Sequence, residues 1–291
     1  CGADFSALEA MVGALLPKDP NKLKIYTDGY DSHCLHAFIY FSSMMPDIEN
    51  NVISINSIKK KYKKLRNKSK APTFAAQYFG TYRTIMNSAG LSEEESKSII
   101  SKFASYYKVS IDWIMNILDQ AHKYGYIECA FGLRLRTPIL AKTPLSKRLN
   151  YKAEAERRSA GNAKTQSYGL LNNRAAIEFS RRVAQSPYRY DILICSLIHD
   201  AIYILIRDRV EVIEWANTNL VECMQWQEAS ELQHDQVKLG AELDIYYPSW
   251  ANTLTLNNNM TQDEIIDKGR TYFHKHASNK YMGKSYAECT I

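Results

Sequence analysis

The segment from Asp191 to Arg207 constrains the fold more than any other part of the chain. ILICSLI and AIYILI are short apolar, β-branched runs with only His199 and Asp200 between them, a pattern that specifies a tight antiparallel hairpin. An ionised carboxylate at the tip of such a ribbon is costly to bury, because desolvation favours the neutral acid. A divalent cation would remove that cost. The plainer alternative is that His199-Asp200 is a polar turn, since aspartate is a common turn residue.

A second aspartate has a comparable setting. The chain opens CGADFSALE, in which Asp4 and Phe5 read as a strand end. Ser6 and Glu9 have the spacing of a capping box, opening a helix to about Leu16 with Leu8, Met11, Val12, Leu15 and Leu16 on one side. Asp4 could serve only that helix N-terminus, and Glu9 only the capping box. Between the two aspartates lies a lysine-dense segment running into aromatics. Two lone carboxylates with a cationic, aromatic helix between them are what metal-assisted phosphoryl transfer requires.

That middle segment reads KKKYKKLRNKSK from Lys59 to Lys70 and continues to Tyr78. A bare basic run is as readily a solvated charged face or a targeting patch. Arg66, Lys70, Phe74 and Tyr78 recur every four residues, so on a helix they form one stripe of two cations followed by two aromatics. Cations at that spacing can grip a triphosphate, and the aromatics beyond them can stack on a base. A core stripe would not carry the cations, and a solvated face would not carry the aromatics. Pro72 has no N–H and clashes with the carbonyl four residues back, so the regular helix is expected to start near it. Arg66 is then expected in a preceding loop or kinked turn.

Elsewhere the sequence predicts a helix over 34–41, a polar loop over 45–57, and a capping box at Ser92–Glu95 opening a helix to about Tyr107. It also predicts a helix over 110–124 ended by Gly125, a hairpin over 126–138, and one long helix over 152–183. A helix over 210–226, a strand over 237–247 and a last helix capped at Thr261 complete the reading. Six scattered cysteines without a CxxC pair argue against a disulfide scaffold or a zinc site and favour a reducing cytoplasm. No apolar run reaches the roughly 18–20 residues of a membrane span. A net charge of +6 is compatible with an acidic partner without requiring one.

DFSALE, RNKSKAPTFAAQY and LIHDAIYI resemble, in order, the three polymerase motifs of family A (Pol I-like) DNA polymerases, the phage replicative members in particular. Asp31-Ser32-His33, GYIECAFGLRLRTP at 125–138 and AERRSAGNAKTQ at 155–166 are supporting matches. The resemblance covers residues 1 to about 255. It implies an α/β (α+β) fold of right-hand polymerase architecture, with an antiparallel palm sheet and a mostly helical fingers insertion. The palm is expected in 1–16 and 151–255, the fingers in 17–150, and a C-terminal extension in 256–291. Because Cys1 stands where a reading frame would have Met, the chain is expected to be a fragment, a spliced product or the downstream half of a split polymerase. Thumb and upstream domains would then be supplied separately.

The resemblance implies a DNA-directed DNA polymerase that takes primer-template DNA and deoxynucleoside triphosphates in the cytoplasm, the host's if the protein is viral. Asp4 and Asp200 match the carboxylates that hold two Mg²⁺ ions. Lys70, Arg66 and His33 match triphosphate contacts, and Lys70 is also a proton donor to pyrophosphate. Phe74 matches the aromatic near the incoming sugar, and Glu9 the side chain that blocks a ribose 2′-hydroxyl. Tyr78 matches the aromatic at the templating position, and His199 a residue near the primer terminus. Arg158, Asn162 and Gln166 match minor-groove contacts to primer and template. Departures are Ala7 for the usual Gln, Ala201 for the usual third carboxylate, and a displaced glycine in Tyr78-Phe79-Gly80. Two rivals are a single-subunit RNA polymerase, disfavoured by Glu9 and Phe74, and a non-catalytic nucleic-acid-binding remnant.

Overall fold

The computed structural model describes residues 1–78, 80–144, 151–247 and 249–276, with no side-chain account of 151 or 273–276. The expected extension beyond 276 lies outside the described residues. Among the described residues two compact units form: residues 1–11, 169–230 and 238–276, and residues 12–168 with 231–237.

The first unit is built on a five-stranded antiparallel sheet. Its strands are β1 (Gly2–Phe5), β4 (Ile192–Ile198), β5 (Ala201–Ile206), β6 (Ala241–Tyr246) and β7 (Thr253–Leu256), in the order β4-β5-β1-β6-β7. Alternation sorts the residues onto two faces. Ile202, Ala3, Leu243 and Leu256 stand in one row across β5, β1, β6 and β7, all fully buried. That face packs on α11 (Leu170–Gln185) and α12 (Val210–Met224), whose Phe179, Ala175, Ala216 and Leu220 are equally buried. The opposite face carries Ala201, Asp4 and Glu242 in one row and Tyr203, Gly2 and Asp244 in the next. Gly2 is required there, because a Cβ would lie 2.8 Å from the Tyr203 ring. The hairpin predicted at 191–207 forms as expected, with a bulge between Ile194 and Ser196. α13 (Gln262–His276) follows β7.

The second unit is helical. After α1 (Leu8–Leu15) come α2 (Pro20–Thr27), α3 (Ser32–Phe41), α4 (Val52–Lys61), α5 (Lys63–Gln77), α6 (Tyr82–Ala89), α7 (Glu93–Tyr106) and α8 (Lys108–Tyr124). A short hairpin, β2 (Tyr126–Glu128) with β3 (Arg134–Arg136), leads to α9 (Pro138–Lys142) and α10 (Glu154–Gln166). One core gathers Leu35, Ile55, Ile58, Ile85, Ile99, Phe103 and their neighbours. A second joins Ile114, Ile117 and Leu118 to Ile127, Leu140 and Ala160. The Ser92–Glu95 capping box is complete, and Gly125 ends α8 in the left-handed conformation.

Four expectations are corrected. Residues 52–57, expected as the end of a loop over 45–57, belong to the helix α4, opened by Asn51, whose side chain accepts from the Ser54 N–H. The helix α5 runs through Pro72 instead of starting at it. Three ties hold the segment helical against α3: Arg66 to Asp31, Ser69 Oγ to the His33 carbonyl, and Thr73 Oγ1 to the Tyr40 hydroxyl. The long helix over 152–183 is two, broken at Ser167–Gly169, where Ser167 Oγ takes the Ala130 N–H and donates to the Lys164 carbonyl. The last long strand starts at Ala241 rather than 237, because side chains claim the preceding N–H groups. His234 Nδ1 accepts from Gln236 and Val237, and Gln227 Oε1 accepts from Leu239.

Candidate functional site

In the sheet unit the two aspartates come together. Asp4 stands on the open face of the central strand β1, and Asp200 occupies the β4–β5 turn beside it. The Phe5 N–H reaches the Asp200 carbonyl at 3.4 Å. Partial burial holds the Asp4 carboxyl above its ordinary range, and the nearby Asp200 carboxylate, within hydrogen-bonding reach, raises it further. Asp244, on the neighbouring strand β6 and the same face, adds a smaller push. Its Oδ1 is buried with no hydrogen-bond partner. An Asp4 carboxyl whose charge is disfavoured by burial and by a neighbouring carboxylate, on an open face, fits a divalent cation held between Asp4 and Asp200. Among the described residues no group of three His, Cys, Asp or Glu side chains converges as a metal site.

Ala201, where the resemblance leads one to expect a third acid, has its strand position directly opposite Asp4. Asp244 is the acid that sequence reasoning missed. Its signal was the alternation of A-E-L-D-I-Y, which places Glu242 and Asp244 on one face. His199, exposed at the turn, adopts φ +55°, and Ala7, just beyond β1, adopts the same value. Left-handed backbone at non-glycine residues beside both acids is strain of the kind that collects at functional sites. Glu9 lies in the first turn of α1.

In the helical unit, α5 presents Arg66, Lys70 and Phe74 at helical spacing, and Tyr78 caps its C-terminus. His33, in the first turn of α3, meets Phe74 edge-on at 6.0 Å between ring centres. Partial burial, followed by the charges of Arg66 and Lys70, holds the His33 imidazole below its usual range. These four side chains therefore form one cluster. Arg66 is engaged: its Nη2 donates to Asp31 Oδ2 at 2.8 Å, and its Nε and Nη2 donate to Oδ1 at 3.2 and 3.1 Å. Asp31 also caps α3 through the Cys34 N–H. This double duty of Asp31 could not be read from the motif Asp31-Ser32-His33. Arg158, Asn162 and Gln166 lie at four-residue spacing along α10, and the Asn162 amide donates to the Tyr78 carbonyl at 3.4 Å.

The five described cysteines are free thiols. No helix among the described residues is long and apolar enough to cross a membrane.

Comparison with known proteins gives a consistent result. The model of DNA polymerase family A matches residues 1–252. DNA polymerase I of Streptococcus pneumoniae (strain ATCC BAA-255 / R6) is 24% identical over 220 residues, which is 76% of this chain and 22% of that protein. The thermostable DNA polymerase I of Thermus filiformis is 28% identical over 165 residues, 56% of this chain and 18% of that one. The chain thus spans about a fifth of the length of these relatives. Among solved structures, the POL domain of Pol1 from M. smegmatis, in complex with DNA primer-template and dNTP, superposes with a TM-score of 0.63. That likeness covers 82% of this chain and 38% of the other at 21% identity, and it establishes a shared fold of helices and antiparallel sheet.

Proposed function

The chain belongs to DNA polymerase family A, and from that membership we propose that it adds deoxynucleotides to a primer 3′-end as directed by a DNA template. The observation that carries the reading is the meeting of Asp4 and Asp200 on the open face of the sheet. In the proposed reaction the primer 3′-oxygen forms a bond to the α-phosphorus of the incoming nucleotide. The bond from that phosphorus to the bridging oxygen breaks, and pyrophosphate leaves. Asp4 and Asp200 would hold two Mg²⁺ ions, which when bound supply activation of the 3′-hydroxyl and charge neutralisation at the leaving group.

The chain's other residues take binding and proton roles in the same proposal. Lys70 neutralises the triphosphate and hands a proton to the departing pyrophosphate. His33, which abuts Phe74 in the cluster on α3 and α5, is a further phosphate contact. Arg66 contributes charge to the same cluster while its fork is held by Asp31. Phe74, about half exposed, packs near the sugar, and Glu9 closes the space a 2′-hydroxyl would need. Tyr78 faces the templating base, and His199 lies near the primer terminus. Arg158, Asn162 and Gln166 follow the minor groove of the product duplex. The replicative, phage-type assignment belongs to this proposal as well.

Primer extension with Mg²⁺ and four deoxynucleotides tests the reading, run on the chain alone and on the chain joined to an upstream polymerase half. The expected result is extension that Asp200→Asn abolishes, with ribonucleotides incorporated poorly. Equal use of ribonucleotides would favour an RNA polymerase. Salt-sensitive DNA binding without extension in either form would leave a binding remnant.

A further inference from the structure

We infer that Asn172 is a positioning residue for Asp200, acting through the backbone of the β4–β5 turn; the inference rests on the polymerase reading of that aspartate. Asn172 lies in α11, in the same compact unit as the turn, and is 1% exposed. Its Nδ2 donates to the His199 carbonyl at 3.3 Å and to the Ala201 carbonyl at 3.1 Å. The carbonyl between them, that of Asp200, accepts the Phe5 N–H. Three successive carbonyls of the turn are therefore fixed, two by one side chain and one by the strand that carries Asp4.

The direction of the Asp200 side chain follows from the backbone at 199–201, where His199 is left-handed and strained. A two-residue hairpin loop calls for a left-handed residue in any case; the tether fixes where the loop's carbonyls sit, and without it the loop would be free to shift and carry the carboxylate with it. The position of Asn172 is otherwise one for an apolar residue, among Leu171, Ala175 and Ala176 on the buried side of α11. An amide there is a poor core filler, because its Oδ1 is buried with no hydrogen-bond partner. The two bonds it gives to the turn account for its presence. Groups that orient metal-binding side chains from behind typically change metal affinity or activity by about 10–100-fold when removed.

The test compares the full chain with Asn172→Leu, which keeps the volume and removes both donors, and Asn172→Ser, which keeps one shorter donor. Mn²⁺ binding is followed by electron paramagnetic resonance without DNA, and extension is resolved into kcat and KM for the deoxynucleotide. Asn172→Leu is expected to weaken Mn²⁺ binding and lower kcat by about 10-fold or more, with KM within about twofold. Asn172→Ser should fall between it and the unaltered chain. A folded Asn172→Leu variant with unchanged Mn²⁺ affinity and unchanged kcat would overturn the inference. Should the variants not fold, ¹⁵N-asparagine labelling of the unaltered chain decides: the Asn172 side-chain amide should shift as Mg²⁺ is titrated in, and an unmoved resonance rejects the role. If the unaltered chain neither binds Mn²⁺ saturably nor extends a primer, the polymerase reading itself has failed, which is a different result.

Discussion

Asp4 is held in the folded chain with its carboxyl above the ordinary carboxylate range, by burial first and by Asp200 next. Between the ordinary value and the raised one, the folded state binds more protons than the unfolded state. Stability in the absence of divalent ions should therefore rise as pH falls through that window, and the charged form at neutral pH is a burden. Asp4→Asn is expected to raise the melting temperature of the ion-free chain while abolishing extension. Mg²⁺ should raise the melting temperature of the unaltered protein and leave that of Asp4→Asn nearly unmoved, which a thermal melt with and without Mg²⁺ checks. Arg66 and Asp31 provide a second case. Asp31→Ala removes a helix cap and strands a partly buried guanidinium, so urea unfolding should report a loss of about 2–3 kcal/mol. Arg66→Lys should recover little stability, because an ammonium cannot reproduce the forked contact.

Elements whose stability is local were legible in the sequence. The β4–β5 hairpin, the capped α7 and the Gly125 stop on α8 each carry their own start, periodicity and end. Elements that depend on distant partners were not. The helix α4 buries only Ile55 and Ile58, too few to mark a periodic stripe. Continuity of α5 through Pro72 depends on Asp31, His33 and Tyr40, residues more than thirty positions earlier. The site divides in the same way: the acids and the cationic stripe stood out by type and spacing, whereas Asn172 looks like any helix residue until the turn it serves is in place. Helices α3 and α7 also bury His36 against Tyr107, whose hydroxyl lies 2.9 Å from His36 Nε2. Burial, with His33 and Lys22 nearby, takes the His36 imidazole down to about 3. The unfolded chain takes up a proton near pH 6.5 and the folded chain does not, so stability falls as pH drops from 6.5 toward 3. At full slope the loss is about 1.4 kcal/mol per pH unit. Urea midpoints at pH 7 and 4.5 should converge in His36→Asn, once the overall loss at pH 7 is taken into account.

At the scale of the molecule, charge and chain path matter most. With a net charge of +6 and its basic run at Lys59–Lys70, the chain should bind duplex DNA with a steep salt dependence. Replacing the exposed Lys59, Lys60, Lys63 and Lys64 by Gln should lower the slope of log K against log salt by about 1 for each lysine that touches a phosphate. Fluorescence anisotropy across a salt series measures it, and an unchanged slope would place the run on a solvated face. By packing, α10 belongs with the helical unit of residues 12–168. The sheet order β4-β5-β1-β6-β7 has a consequence for how the molecule is made. β1 is central, yet its partners β5 and β6 lie about 200 and 240 residues downstream. Closing a loop of 200 residues costs about 5 kcal/mol in chain entropy before any strand pairs. At a synthesis rate of about 5–20 residues per second, β1 leaves the ribosome some 10–40 s before β5. During that interval the intervening helices can find one another, while the strand bearing the first aspartate waits with both edges open. The sheet that carries the two acids thus closes only after the intervening helices have been made, and any delay in translating the hairpin prolongs the exposure of its central strand.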